Sequence, residues 1–170
     1  MTRRHDSLIP LSREHHSALV MAMRIDREVP DADEASVRDV YNTLTSFWEQ
    51  GLLPHFRAEG ECLLARLVCH VDVEDEKVRR TNRDHVCMAA LVARMRGTND
   101  VESQRKLLLE FAETIRTHIR WEEEVLFDET ERLLTEPELG ALGADIVDRV
   151  GNGNAWEERV WPGFGREKER

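Results

Sequence analysis

Apolar residues recur along this chain at alternating steps of three and four, the spacing that lines one face of an α-helix, and short turn signals interrupt the pattern. The first stripe reads Leu11, His15, Ala18, Ala22, Ile25 and Val29, with Pro10 in the opening turn and Ser12 as the expected N-cap. His15 falls in this seam, and His16 lies one position round it. Pro30-Asp-Ala-Asp-Glu-Ala-Ser marks a turn. A second helix is expected over about 34–70, with Val40, Leu44, Phe47, Gly51, His55, Glu59, Cys62, Arg66 and Cys69 facing inward. Pro54 predicts a kink or break just before His55, because proline has no N–H to donate and crowds the carbonyl four residues back.

Asp72-Val-Glu-Asp-Glu leads to a third helix over about 75–96, with the stripe Val78, Asn82, His85, Ala89, Val92 and Met95. Gly97-Thr-Asn-Asp ends it. Asp100 is the expected cap of a fourth helix reaching about residue 135, with Leu108, Phe111, Ile115, His118, Glu122 and Val125 inward. Thr135-Glu-Pro-Glu138 has the form of a capping box, so a short fifth helix over about 137–150 is expected outside the bundle. For the last twenty residues two outcomes stand open: Trp156, Trp161 and Phe164 pin the tail onto the bundle, or the tail is disordered.

The stretch from His55 to Leu64, HFRAEGECLL, returns from His118 to Phe127 as HIRWEEEVLF, and Arg13-Glu14-His15 returns as Arg83-Asp84-His85. The chain is therefore an internal repeat: a helix with one seam His, then a helix with a seam His-x-x-x-Glu, twice over. Two such αα-hairpins predict an all-α four-helix bundle over residues 1–150, with its core at about 8–135 and the added fifth helix, followed by a tail over 151–170.

Composition narrows the function. With 170 residues the chain suffices for one domain, and Leu, Ala, Glu and Arg favour helices over strands. The net charge is -10, with basic residues dispersed among acidic ones, which argues against nucleic acid as a partner. No apolar run has the length of a signal peptide or a membrane span, so a cytoplasmic protein with no membrane association is expected. Cys62, Cys69 and Cys87 form no CxxC and cannot all pair, which fits free thiols in a reducing compartment.

His and Glu four residues apart on a helix share one face, and a helix rise of about 1.5 Å per residue brings the ligand-bearing turns of each hairpin to similar heights. Six candidates converge: His15, His55, Glu59, His85, His118 and Glu122. Burying them in an apolar bundle is strongly destabilising unless something satisfies them. A hydrogen-bonded His–Glu network is one solution and a metal the other, and the duplication favours metal. Imidazole and carboxylate donors without thiolates suit iron or manganese, with zinc as an alternative, and two Glu from opposing helices can each bridge two ions.

On Leu-Ser-Arg-Glu-His15-His, Leu-Pro-His55-Phe-x-x-Glu59, Arg-Asp-His85 and His118-x-x-x-Glu122, the sequence resembles the hemerythrin-like family, or HHE cation-binding domain, over about residues 8–135. The resemblance implies an up-down bundle holding a non-haem di-iron centre, two iron ions with carboxylate and oxo or hydroxo bridges. It assigns His15, His55, His85 and His118 as terminal ligands and Glu59 and Glu122 as bridges. The oxygen-carrying hemerythrins have HxxxH on the third helix and HxxxxD on the fourth, whereas this chain has Ala89 and Glu123 at those places. Its four-His, two-Glu set is more similar to bacterial iron-centre repair proteins and to the iron-sensing domain of an F-box protein. Expected partners are metal ions and a small diatomic or peroxide ligand, with the chain a monomer or homodimer. Peroxidase-like or repair activity stays open. The competing function is a non-enzymatic, metal-dependent interaction module that zinc or a single metal would also serve.

The remaining polar residues carry plainer expectations. Arg57 and Arg120 are expected to pair with surface acids, Glu14 and Asp84 to orient a partner helix, and Glu61 and Glu124 to face solvent. Cys62 is expected to act as a small buried hydrophobe, and His5 and His70 are expected to be incidental.

Overall fold

A computed structural model of the chain describes residues 4–153 and 156–162. Among these residues all regular structure is helical. Helix α1 spans Ile9–Glu28, α2 runs over 34–67, α3 spans Glu76–Arg96 and α4 runs over 101–133. They form the up-down four-helix bundle, followed by α5, Glu136–Val150, and a single turn α6, Glu157–Val160. No described helix is long and apolar enough to cross a membrane.

Side-chain caps set the starts of the helices. Asp33, Asp75 and Asp100 accept from the backbone N–H groups of Ser36, Lys77 and Ser103 at 2.8, 2.9 and 2.8 Å. At α5 the capping box forms as expected, with the Thr135 N–H donating to Glu138 Oε2 at 2.8 Å. Helix α1 differs from expectation. A 3-10 turn, Asp6–Leu8, leads directly into it, and Ser12 lies inside the helix rather than at its cap. Pro10 needs no donor in the first turn, so the helix can begin ahead of it.

Pro54 neither breaks nor ends α2. Trp48–Leu52 winds as a π-helical turn, and the Leu53 N–H donates to the carbonyl of Trp48, five residues back. The ladder has already shifted when it reaches the proline, so the missing donor falls where the regular spacing is interrupted. Gly51 lies in this turn because the Phe47 ring crosses it. A Cβ at residue 51 would meet that ring at 2.6 Å.

Two further π turns, Glu59–Leu64 and Glu122–Leu126, begin on the two repeated glutamates. Each adds one residue to its helix and advances the downstream register. Thus Arg66, Cys69 and Val125, expected inward from an uninterrupted period, are displaced. Cys69 is exposed, Val125 is 41% exposed and Arg66 reaches out to Asp145 at 2.5 Å. Leu63, Leu64, Leu67, Leu126 and Phe127 fill the core in their place. On α3 the buried stripe also differs, running through Thr81, Met88 and Leu91 while Asn82 and Ala89 face solvent. Thr81 tolerates burial because its hydroxyl donates to the Lys77 carbonyl at 3.0 Å.

The apolar interior is two cores. One gathers Ala18 to Val29 of α1 with Val40, Leu44, Phe47, Met88, Met95, Leu108 and Phe111. The other gathers Leu8, Leu11, Leu63, Leu67, Leu126 and Phe127 with Leu139, Leu142 and Ile146 of α5. Helix α5 is therefore part of the second core rather than an outside addition. Gly143 permits its close approach to the Asp6–Leu8 turn, since a Cβ there would stand 2.9 Å from Ser7 Cα. The turn at Trp156 docks on the first core: Trp156 is buried with its ring 5.7 Å from Phe47, and its backbone N–H donates to Ser17 Oγ at 3.1 Å. Arg27 lies 5.6 Å over the partly buried Trp161. Phe164 lies outside the described residues.

Candidate metal centre

Between the two cores lies a polar layer. His15 on α1, His55 and Glu59 on α2, His85 on α3, and His118 and Glu122 on α4 all turn inward to it, as the spacing predicts. His16 points outward and is 62% exposed. Glu59 and Glu122 are wholly buried, and so nearly are His15, His55 and His118. His85 alone keeps some contact with solvent, at 13%.

The imidazoles meet the carboxylates through Nε2. His55 Nε2 and His15 Nε2 stand 3.1 and 3.5 Å from Glu59 Oε1, and His85 Nε2 stands 3.1 Å from Glu59 Oε2. Across the layer, Glu122 Oε2 is 3.2 Å from both His15 Nε2 and His118 Nε2. The donors fall into two groups, His15, His55, Glu59 and Glu122, and then Glu59, His85, His118 and Glu122, each with its atoms within 4.8 Å of one another. The two glutamates belong to both.

Behind the rings lies a second set of carboxylates. Glu123 Oε1 accepts from His15 Nδ1 at 2.7 Å and Glu14 Oε2 from His55 Nδ1 at 3.1 Å, while Asp84 Oδ2 stands 3.6 Å from His118 Nδ1. A carboxylate on the outer nitrogen fixes the tautomer and leaves Nε2 free to coordinate. Phenyl rings flank two of the imidazoles: Phe127 lies parallel to His15 at 5.3 Å between centroids, and Phe56 stacks on His85 at 3.9 Å.

The layer is strongly polarised. Burial alone disfavours a charged His15, but its contacts with Glu122, Glu123 and Glu59 outweigh that and hold its pKa well above the ordinary histidine value. For His55 burial is likewise outweighed, by the charge of Glu59 and by Glu14, and the pKa is pushed up to about 9. Burial would raise the Glu59 carboxyl, yet His55 first, then His15 and His85, keep it well below the usual carboxylate range.

The residues present fit metal ions. Both oxygens of Glu59 and both of Glu122 are buried without a hydrogen-bond partner, although buried carboxylates normally accept several. His85 Nε2 and His118 Nε2 face each other at 3.2 Å, an arrangement two neutral rings satisfy only if one donates to the other. Donor separations of 3.1 to 3.5 Å are the edge lengths expected of a shell with metal bonds of about 2.1 Å. A cation would satisfy all these lone pairs at once.

Residues given plainer expectations occupy plainer places. Arg57, Arg120, Glu61 and Glu124 are exposed; Glu61 pairs with Arg149, whereas Arg57 and Arg120 make no ion pair with the acids expected of them among the described residues. Burial pushes the Cys62 thiol up, which keeps it a small apolar side chain. His5 and His70 have local structural contacts: His5 Nδ1 accepts from the Ser7 N–H at 3.2 Å, and His70 Nε2 lies 2.8 Å from Glu138. Glu14 and Asp84, expected to orient a partner helix, do so through an imidazole, whereas the part played by Glu123 was not expected. Glu14 and Asp84 each turn to the second imidazole of their own hairpin, and the signal was the acid immediately before each seam His. Glu123 was marked by following a ligand candidate directly.

No curated protein and no solved structure matches this chain. The family model described as the hemerythrin HHE cation binding domain matches residues 7–130, which contain all six inward-facing residues and all three carboxylates behind them. The chain belongs to the hemerythrin HHE cation-binding domain family.

Proposed function

We propose that this chain holds a non-haem di-iron centre and uses it to bind or sense dioxygen, peroxide or nitric oxide. One observation supports this most: two four-donor groups share Glu59 and Glu122, so one pair of carboxylates would serve two ions. His15 and His55 would hold one ion, His85 and His118 the other. Two imidazoles with carboxylates and no thiolate is a donor set suited to ferrous iron with positions left for an exogenous ligand. Iron held here would supply the electrons for reaction with oxygen, peroxide or nitric oxide.

The protein's own part is to orient and to enclose. Glu14 and Glu123 hold His55 and His15 with Nε2 inward, Phe127 and Phe56 cover the His15 and His85 rings, and the two cores keep water from both ends of the layer. Metal bound here would compete with protons for Nε2 of His15 and His55, so its uptake would weaken in acid.

Anaerobic reconstitution with ferrous iron, followed by oxygen, peroxide or nitric oxide, tests the reading. Two irons per chain and a charge-transfer absorption that each ligand alters are expected. Tight binding of zinc or manganese with thermal stabilisation, and inert iron, would instead make the chain a metal-dependent interaction module.

A further inference from the structure

Resting on the two-ion reading, we propose that the two halves of the centre are unequal: the His15–His55 half takes the first ion tightly, and the His85–His118 half is the weaker, exchangeable half, because Gly60 stands where the repeat calls for a carboxylate.

The repeat relates α1 to α3 and α2 to α4, and the relation extends beyond the inward-facing residues. Glu14 backs His55, and its counterpart Asp84 approaches His118. Glu122 meets His15 at 3.2 Å, and its counterpart Glu59 meets His85 at 3.1 Å. The next residue breaks the relation. Glu123 accepts from His15 Nδ1, whereas its counterpart after Glu59 is Gly60, and no carboxylate among the described residues stands at His85 Nδ1.

Three differences follow on the same side. His85 is fixed by stacking on Phe56, and no carboxylate among the described residues selects the tautomer that presents Nε2. Asp84 lies 3.6 Å from His118 Nδ1, beyond hydrogen-bond length, and shares its charge with Arg83 at 3.0 Å. The His85 side chain is 13% exposed, against 3% for His15 and His55 and 1% for His118, so solvent reaches this half of the centre. Loss of one orienting partner lowers metal affinity by about 10–100-fold. The gap at residue 60 therefore separates the two binding steps by at least about tenfold and places entry and exit of metal at His85.

Gly60 also makes the inference testable by gain. A Cβ at residue 60 meets nothing within 4 Å, so a side chain can start there without displacing a neighbour. Calorimetric titration of the full chain with zinc, repeated anaerobically with ferrous iron, should show two steps. His85→Ala should abolish the weak step and keep the tight one, Glu14→Gln should weaken the tight one, and Gly60→Glu should strengthen the weak one by about tenfold. The inference is overturned if the native chain shows two equal steps, if His55→Ala rather than His85→Ala abolishes the weak step, or if Gly60→Glu alters only the tight step. Binding of a single ion by the native chain would overturn the two-ion reading itself, and this inference with it.

Discussion

Glu14 on α1 and His55 on α2 meet in the buried layer, Oε2 to Nδ1 at 3.1 Å, although forty-one residues separate them. Neither has solvent to turn to. Glu14→Ala should strand the outer nitrogen of His55, and leaving such a donor unsatisfied costs about 1–3 kcal/mol. Glu14→Gln keeps an acceptor in place and should cost less. Urea unfolding of metal-free protein compares the two, and equal losses would mean that the charge of Glu14, which both variants lack, carries the contribution rather than the acceptor.

Packing dominates elsewhere. Phe111 is 1% exposed and meets the Trp48 ring edge-on at 6.3 Å, so Phe111→Ala should lower stability by about 3–5 kcal/mol. Val86, on the outer face of α3, is 69% exposed, and Val86→Ala should stay within about 0.5 kcal/mol. Thermal or chemical denaturation distinguishes them directly.

Acid should loosen α5 late. The Glu138 carboxyl is lowered to about 2, first by the Thr135 backbone N–H, then by the Thr135 hydroxyl and His70. A depressed carboxyl contributes stability that is present above its ordinary value of 4.5 and lost as pH falls through the folded value. The contribution should therefore fade between about pH 4.5 and 2. Amide exchange in Glu136–Val150 should accelerate over that window, and Glu138→Gln should flatten the change.

The π turn on α4 offers a structural test. Deleting Val125, which is 41% exposed, removes one residue from Glu122–Leu126 and restores the regular ladder. The bundle should stay helical and unfold cooperatively. Glu122 and Glu123, which now both reach His15, should no longer do so, and metal retained through gel filtration should drop to one ion or less per chain. Full retention would show that the turn is not needed to present the two glutamates.

Much of this was legible in the sequence. The period of apolar residues located four long helices, Asp100 marked the start of the fourth, and the repeat brought six side chains to one level. The period could not show where a helix gains a residue. The π turns that begin at Glu59 and Glu122 shift the register after them, so an uninterrupted period places Arg66, Cys69 and Val125 inward and leaves out Leu64, Leu67 and Phe127. The α3 stripe erred for another reason. Ala89 and Asn82 continue the period as well as Met88 and Thr81 do, and only tertiary contacts choose between the two faces. The carboxylates behind the rings were visible as residues but not as partners, since Glu14, Asp84 and Glu123 each act across a helix boundary.

The polar layer also divides the molecule mechanically. Apolar contacts run continuously within each core and are interrupted between them by imidazoles and carboxylates. Each end of the bundle can thus gather as its own cooperative unit, one closed by α6 and the other by α5. An ion held at once by α1, α2, α3 and α4 would act between them as a rivet, joining two folding units into one.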